Sequence, residues 1–206
     1  MRLHALVPLA GALLALLPAT AFSATPTRFF DHPKGDLRVT TDLRSTTGCI
    51  DQDLFVLPAQ DPGGTRAVFA EITRYDHCAG QLILDHFGGS DALTSNELSI
   101  ASDLSSASLS LTIPMYDGLD QSLPATDPLA LDLSWTASSG PYKQNILYDN
   151  GHREGITLVN HDHESCRDAT VSGTASDGSA DYATGTTAEA QICEQLAGSL
   201  FLFIER

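Results

Sequence analysis

Basic residues are scarce in this chain: eleven lysines and arginines stand against 26 aspartates and glutamates, a formal net charge of −15. Binding to nucleic acid or to anionic lipid rests on clustered Lys and Arg, so this balance excludes both as partners. Other things are missing too. There is no G-x-S-x-G elbow, so no serine hydrolase signature. No complete D-x-[DN]-x-[DN]-G loop is present, and beyond the N-terminus no apolar run approaches the ~20 residues of a membrane helix. Long stretches of 3.6-residue periodicity are absent, which argues against a helical bundle.

What the N-terminus does have is the pattern of a cleavable export signal. Arg2 starts it, Leu3 to Leu17 is almost wholly apolar, and Pro18 is followed by small residues, with cleavage after Ala21 or Ser23. Residues 1–23 therefore read as a signal peptide and 24–206 as one exported domain. Loss of Arg2 moves the formal charge from −15 to −16. The first cysteine, Cys49, lies far from the cleavage site, so no lipid anchor is expected; the periplasm or the medium is the expected destination, with no membrane insertion after cleavage.

Four cysteines in an exported chain read as two bridges. The separations of Cys49 from Cys78 and of Cys166 from Cys193 are alike, 29 and 27 residues, which favours those two pairings. On the loop-entropy account each contributes about 3 kcal/mol by restricting the unfolded chain.

Short alternating segments between turn signals fill the rest. Leu129, Leu131, Leu133 and Trp135 point one way and Ala130, Asp132, Ser134 and Thr136 the other, as a half-buried strand requires. Similar stretches run from Leu37 to Ile204, separated by Asp61-Pro62-Gly63-Gly64, Gly88-Gly89, Asp117-Gly118, Asp149-Asn150-Gly151 and Asp177-Gly178. The fold expected is an all-β antiparallel sandwich of about a dozen short strands. At most one short helix fits it, over Thr187 to Leu196, and residues 117–128 read as a long internal connection.

Gly48-Cys49 leading into an apolar strand, Tyr75 before a turn, Leu131-Asp132-Leu133-Ser134-Trp135-Thr136 before a Gly turn, and Ala169 to Gly178 together give a pattern that resembles exported bacterial β-rich proteins with no assigned activity. The resemblance implies fold class and export and transfers no functional residue.

The densest reactive cluster is His161-Asp162-His163-Glu164-Ser165-Cys166, with His152 nearby. On a strand, His161 and His163 share a face about 7 Å apart and can chelate one ion, with His152 as third ligand; zinc or copper(II) suits that set. The plainer reading, a polar hairpin end before a bridged cysteine, weighs more, and no cofactor is expected. Calcium, at Asp51-Gln52-Asp53 or Asp177 to Asp181, fits less well than turn-forming aspartates. His77-Cys78 with Asp76 and His86 could suggest a Cys/His nucleophile, but oxidation of the thiol argues for a disulfide. Glu71, Glu97, Glu154, Glu189 and Glu194 offer carboxylates that sequence cannot pair.

Taken together, these residues point to a non-catalytic binding or structural domain, with Tyr142 and Tyr148 as candidate ligand-face aromatics. Its partner would be a protein, a glycan or a small molecule. A metal-binding or metal-dependent role at His152, His161 and His163 is the alternative.

Overall fold

The computed structural model describes residues 27–32, 35–118, 127–153, 156–178, 180–182 and 187–204, with side chains described for 35–118, 127–145, 162–178, 180–182 and 188–198. The signal segment, most of the 117–128 connection and the side chains of Tyr148, His152 and His161 lie outside these limits.

Twelve strands form among the described residues: β1 Thr27–His32, β2 Leu37–Thr47, β3 Ile50–Gln60, β4 Arg66–Asp76, β5 Gln81–Ser90, β6 Leu98–Ile100, β7 Ser106–Ile113, β8 Met115–Asp117, β9 Leu129–Ala137, β10 Tyr142–Arg153, β11 Ile156–Ser176 and β12 Thr187–Ile204. All pair antiparallel in one sheet of order β6-β7-β9-β11-β12-β2-β3-β4-β5-β8, with β1 added on β12 and β10 on β11. The two facing layers of the expected sandwich are thus the arms of a single sheet, curled into a half-barrel around its core.

Alternation builds that core. Val39, Thr41 and Leu43 of β2, Leu54 and Val56 of β3, Val68, Ala70 and Ile72 of β4, Ala107, Leu109 and Ile113 of β7, and Leu129, Leu131, Leu133 and Trp135 of β9 are all buried. Each strand presents every second residue inward, as a pleated strand with one wet face must. Both disulfides form as the separations suggest, Cys49–Cys78 and Cys166–Cys193. The first ties the β2–β3 turn to the β4–β5 turn, and the second joins directly opposed residues of β11 and β12.

Four local expectations are corrected. Thr187 to Leu196 is strand, not helix, because its partner β2 satisfies the backbone from Thr187↔Arg44 to Glu194↔Leu37. Gly88-Gly89 is no turn but lies within β5, where a Cβ on Gly88 would stand 2.1 Å from the Pro114 carbonyl oxygen; the glycine lets β8 approach. Asp149-Asn150-Gly151 is absorbed into β10 as a bulge, and the pairing with β11 runs on to Arg153↔Ile156. Finally, Ile156 to His161 and Ala169 to Ala175 are parts of one 21-residue strand, β11.

One end of the core is closed by a polar plug. Tyr182 donates to Asp177 Oδ2 and accepts from Arg74 Nη2 at 2.6 Å, while Arg74 Nε reaches Gln52 Oε1 at 3.0 Å and its guanidinium lies over the Tyr182 ring. Burial holds the Tyr182 hydroxyl well above the ordinary phenol range.

Candidate functional site

The long strand β11 serves two neighbourhoods. Up to Asp168 it pairs with β12, and from Ala169 to Ser176 it pairs with β9 instead. Beyond the last shared pair, Asp168↔Gln191, β12 continues with β2 as its ladder partner and β11 swings away. The sheet forks there. A hollow of about 500 Å³ occupies the fork, lined on one prong by Asp168 and Ala169 and on the other by Ala188 to Gln191, with Thr40, Asp42 and Phe55 completing the wall.

The register explains why these side chains converge. Gln191 stands opposite Thr40, Glu189 opposite Asp42, and Asp42 opposite Phe55, so one row crosses three strands on the face turned away from Val39, Thr41 and Ile192. Cross-strand neighbours on one face lie about 4.5–5.5 Å apart at Cβ, close enough to act on one ligand. Three of the lining residues, Asp42, Asp168 and Glu189, are carboxylates.

Their surroundings are not equivalent. Arg44 hydrogen-bonds Asp42 and approaches Asp53 at 3.6 Å. Burial, and then the neighbouring Asp42 carboxylate, push Asp53 up to about 7, so the pair holds one proton through mildly acidic conditions. The Oδ1 atoms of both aspartates are buried with no hydrogen-bond donor among the described residues. On the other prong, Tyr142 donates to Asp168 Oδ1 at 2.8 Å and accepts from Gln191 Nε2 at 2.9 Å. Burial and that bond to Asp168 push the Tyr142 hydroxyl up to about 12. Tyr142 is therefore a brace that fixes two wall residues.

A separate buried constellation lies further along β11. Glu164, whose side chain is fully buried, pairs with Arg38 and accepts from Gln144 Nε2 at 2.9 Å, beside the Cys166–Cys193 bridge. The grouping of Glu164 with Cys166 and Cys193 offers no thiolate, since both sulfurs are bonded to each other.

The histidines are placed by the β10–β11 register. His163 stands opposite Asn145 and hydrogen-bonds its side chain; His161 stands opposite Leu147 and His152 opposite Thr157. His161 and His163 are thus two residues apart on one strand, about 7 Å, whereas four rows, about 13 Å, separate His152 from His161 along the hairpin. The register favours the pair over the triple. Of the aspartates considered for calcium, Asp51 accepts from Thr46 and contacts His77, Asp53 belongs to the pair with Asp42, and Asp177 accepts from Tyr182 and Ala180 N.

Asp42 and Asp168 escaped the sequence reading, and Glu189 stood there only among carboxylates it could not pair, although one signal was available. A two-residue turn at Gly48-Cys49 sets Thr47 against Ile50, and counting back from it brings Arg44 to Asp53. The position of β12 beside β2, which adds Glu189 and Gln191, had no such local marker.

Family models, curated proteins and solved structures contain no match to this chain. Among the described residues no helix is long and apolar enough to cross a membrane.

Proposed function

We propose that this is an exported, non-catalytic binding protein whose forked sheet holds a small cationic ligand, an amine or guanidinium. The supporting observation is the fork hollow of about 500 Å³ with Asp42, Asp168 and Glu189 on its wall. Arg44 offsets only part of that charge. Phe55 adds an aromatic surface, and Gln191 and Thr40 add neutral hydrogen-bonding groups. Five of the nine lining residues are polar, a lining more hydrophilic than the mostly apolar wall of an ordinary ligand pocket and suited to a small, charged ligand. Two disulfides suit an oxidising compartment, and the signal-like N-terminus suits export.

Calorimetric titration with 1,4-diaminobutane and with agmatine tests the reading. Saturable binding to the wild type, weakened tenfold or more in a Glu189→Gln, Asp168→Asn variant, supports it. Absence of binding to either amine, or equal binding by the variant, overturns it.

A second reading, zinc or copper(II) at His161 and His163, keeps the support of their shared face on β11. Elemental analysis of the wild type beside a His161→Ala, His163→Ala variant separates the two readings, since amine binding at the fork is indifferent to those histidines.

A further inference from the structure

At one end of the sheet the β2–β3 and β4–β5 turns lie side by side. Cys49 sits in the first and Cys78 in the second, and the two are joined. His77, exposed, stands between them: one of its ring nitrogens and both sulfurs lie within 4.8 Å of one another. The imidazole is held from β3, where Asp51 Oδ2 meets His77 Nδ1 at 3.1 Å and Thr46 Oγ1 donates to Asp51 Oδ1 at 2.8 Å.

The bond between the turns is not what positions them. The β3–β4 ladder runs without interruption from Ile50↔Asp76 to Gln60↔Arg66. Asp76 Oδ1 accepts from the backbone N–H groups of Cys78 and Ala79, both at 2.9 Å, and His77 N donates to Cys49 O at 3.0 Å. The β4–β5 turn is therefore closed by its own hydrogen bonds, and a backbone bond from His77 to Cys49 ties it to the β2–β3 turn. The Cys166–Cys193 bridge is the contrast, since its cysteines are 0% and 2% exposed and no imidazole attends it among the described residues.

We propose that Cys49–Cys78 is an exchange-competent disulfide that accepts electrons from an external dithiol, with His77 as the proton donor to the departing sulfur. The thiolate of the dithiol attacks Cys78 Sγ and forms a mixed disulfide. The Cys49–Cys78 bond breaks, its electron pair leaves on Cys49 Sγ, and the His77 imidazolium protonates that thiolate. The second thiol of the reductant, deprotonated, then attacks the mixed disulfide at the reductant's own sulfur. Cys78 leaves as a thiolate that takes a proton from solvent, the dithiol is oxidised to a disulfide, and the protein gains two thiols. Exchange of this kind depends on access for the attacking thiolate and on a stabilised leaving group, and this site provides both. Tyr75 and Leu82, paired across β4 and β5, and the adjacent Ile83 are exposed by 42%, 42% and 47%, which gives the approaching reductant an apolar flank.

The register places the titratable Asp51 of β3 and Tyr75 and Asp76 of β4 next to His77. β2 brings Thr46 and β5 brings Gln81, neither of which titrates.

The test is the rate of reduction of the folded, full-length protein by dithiothreitol, followed by alkylation and mass mapping of each cysteine across pH 5.5 to 8.5. Cys49 and Cys78 are expected to be labelled at least tenfold faster than Cys166 and Cys193, with the circular dichroism unchanged. His77→Ala should slow that step on the order of tenfold at the acid end of that range and by less at its alkaline end, where a thiolate can leave without being protonated. Asp51→Asn, which leaves the ring in place, should give a smaller loss with the same pH dependence. Opening of both bridges at one rate, or wild-type pH profiles in both variants, overturns the proposal.

Discussion

Trp135 donates its indole N–H to the hydroxyl of Thr41 at 2.6 Å, a bond that spans the core from β9 to β2 across 94 residues of sequence. Both side chains are buried, at 1% and 0% exposure. Water cannot replace a lost partner there, and an unsatisfied buried donor costs about 1–3 kcal/mol. Thr41→Val, nearly equal in volume, should lower the unfolding free energy by about that amount, measured by urea denaturation followed by tryptophan fluorescence. A loss below 0.5 kcal/mol would mean the indole finds another acceptor.

Gly173 sits on β11 opposite Leu133 of β9, where the backbone of β9 leaves no room for a side chain. Its φ is +122°, and a Cβ there would stand 2.0 Å from the Asp132 carbonyl oxygen, a backbone atom that cannot swing aside. Gly173→Ala should therefore cost more than the 0.5–1 kcal/mol of ordinary glycine effects, about 2–4 kcal/mol. Gly140, with nothing within 4 Å of its Cβ position, is the control, and Gly140→Ala should leave the thermal midpoint within about 2 °C.

The difference between those glycines shows how far the sequence could be read. Period-2 alternation made β9 legible down to the inward Trp135, and the paired cysteine separations anticipated both bridges. Alternation reports which face is buried, however, and not which strand lies alongside. The fork depends on β12 lying beside β2, a pairing between segments 143 residues apart at its outermost Thr187↔Arg44 pair. It also depends on β11 changing partners at Asp168 without a break in its own extended backbone. Thr187 to Leu196 carried a weak helical spacing in Ala188, Ile192 and Leu196, and tertiary pairing overrode it. Asp42 and Asp168 went unremarked, and Glu189 could not be paired, because what brings the three together is the long-range placing of β12 beside β2 and of β11 beside β12.

Arg38 and Glu164 form an ion pair in which the carboxylate is fully buried, with 27% and 0% of their side chains exposed. A carboxylate left alone in such a place is costly: removing one member of a buried pair typically destabilises by about 3–5 kcal/mol. The partial exposure of Arg38 and the hydrogen bond from Gln144 to Glu164 temper that figure. Arg38→Met should cost about 2–3 kcal/mol at pH 7, and adding Glu164→Gln to it should recover at least half. Denaturant midpoints of the two single variants and the double variant check this. A double variant no more stable than Arg38→Met would show that the charge on Glu164 is not the source of the cost.

Asp53 links stability to pH in the opposite sense from the exposed acids of the same protein. Hydrogen bonds, chiefly from Thr46, Thr65, Thr94 and Ser105, depress Asp51, Asp61, Glu97 and Asp103. Their stabilisation is present above the ordinary carboxylate range and is lost in acid. Burial and Asp42 instead push Asp53 up to about 7. The folded protein therefore binds a proton that the unfolded chain has released between about pH 4 and pH 7. That stabilisation is complete below the unfolded value, declines through the window and is gone above about pH 7. With 29% of the side chain exposed, solvent screening reduces the effect, and a loss of about 1–2 kcal/mol between pH 5 and pH 8 is expected. Asp53→Asn should flatten the profile over that window and leave the acid limb below pH 4 in place. An amine in the fork beside Asp42 favours the fully ionised pair, so binding should expel the shared proton and strengthen as pH rises from 6 to 8. Calorimetry in two buffers of different ionisation heat would count that proton, and proton uptake on binding would contradict the assignment of Asp42 and Asp53 as a coupled pair.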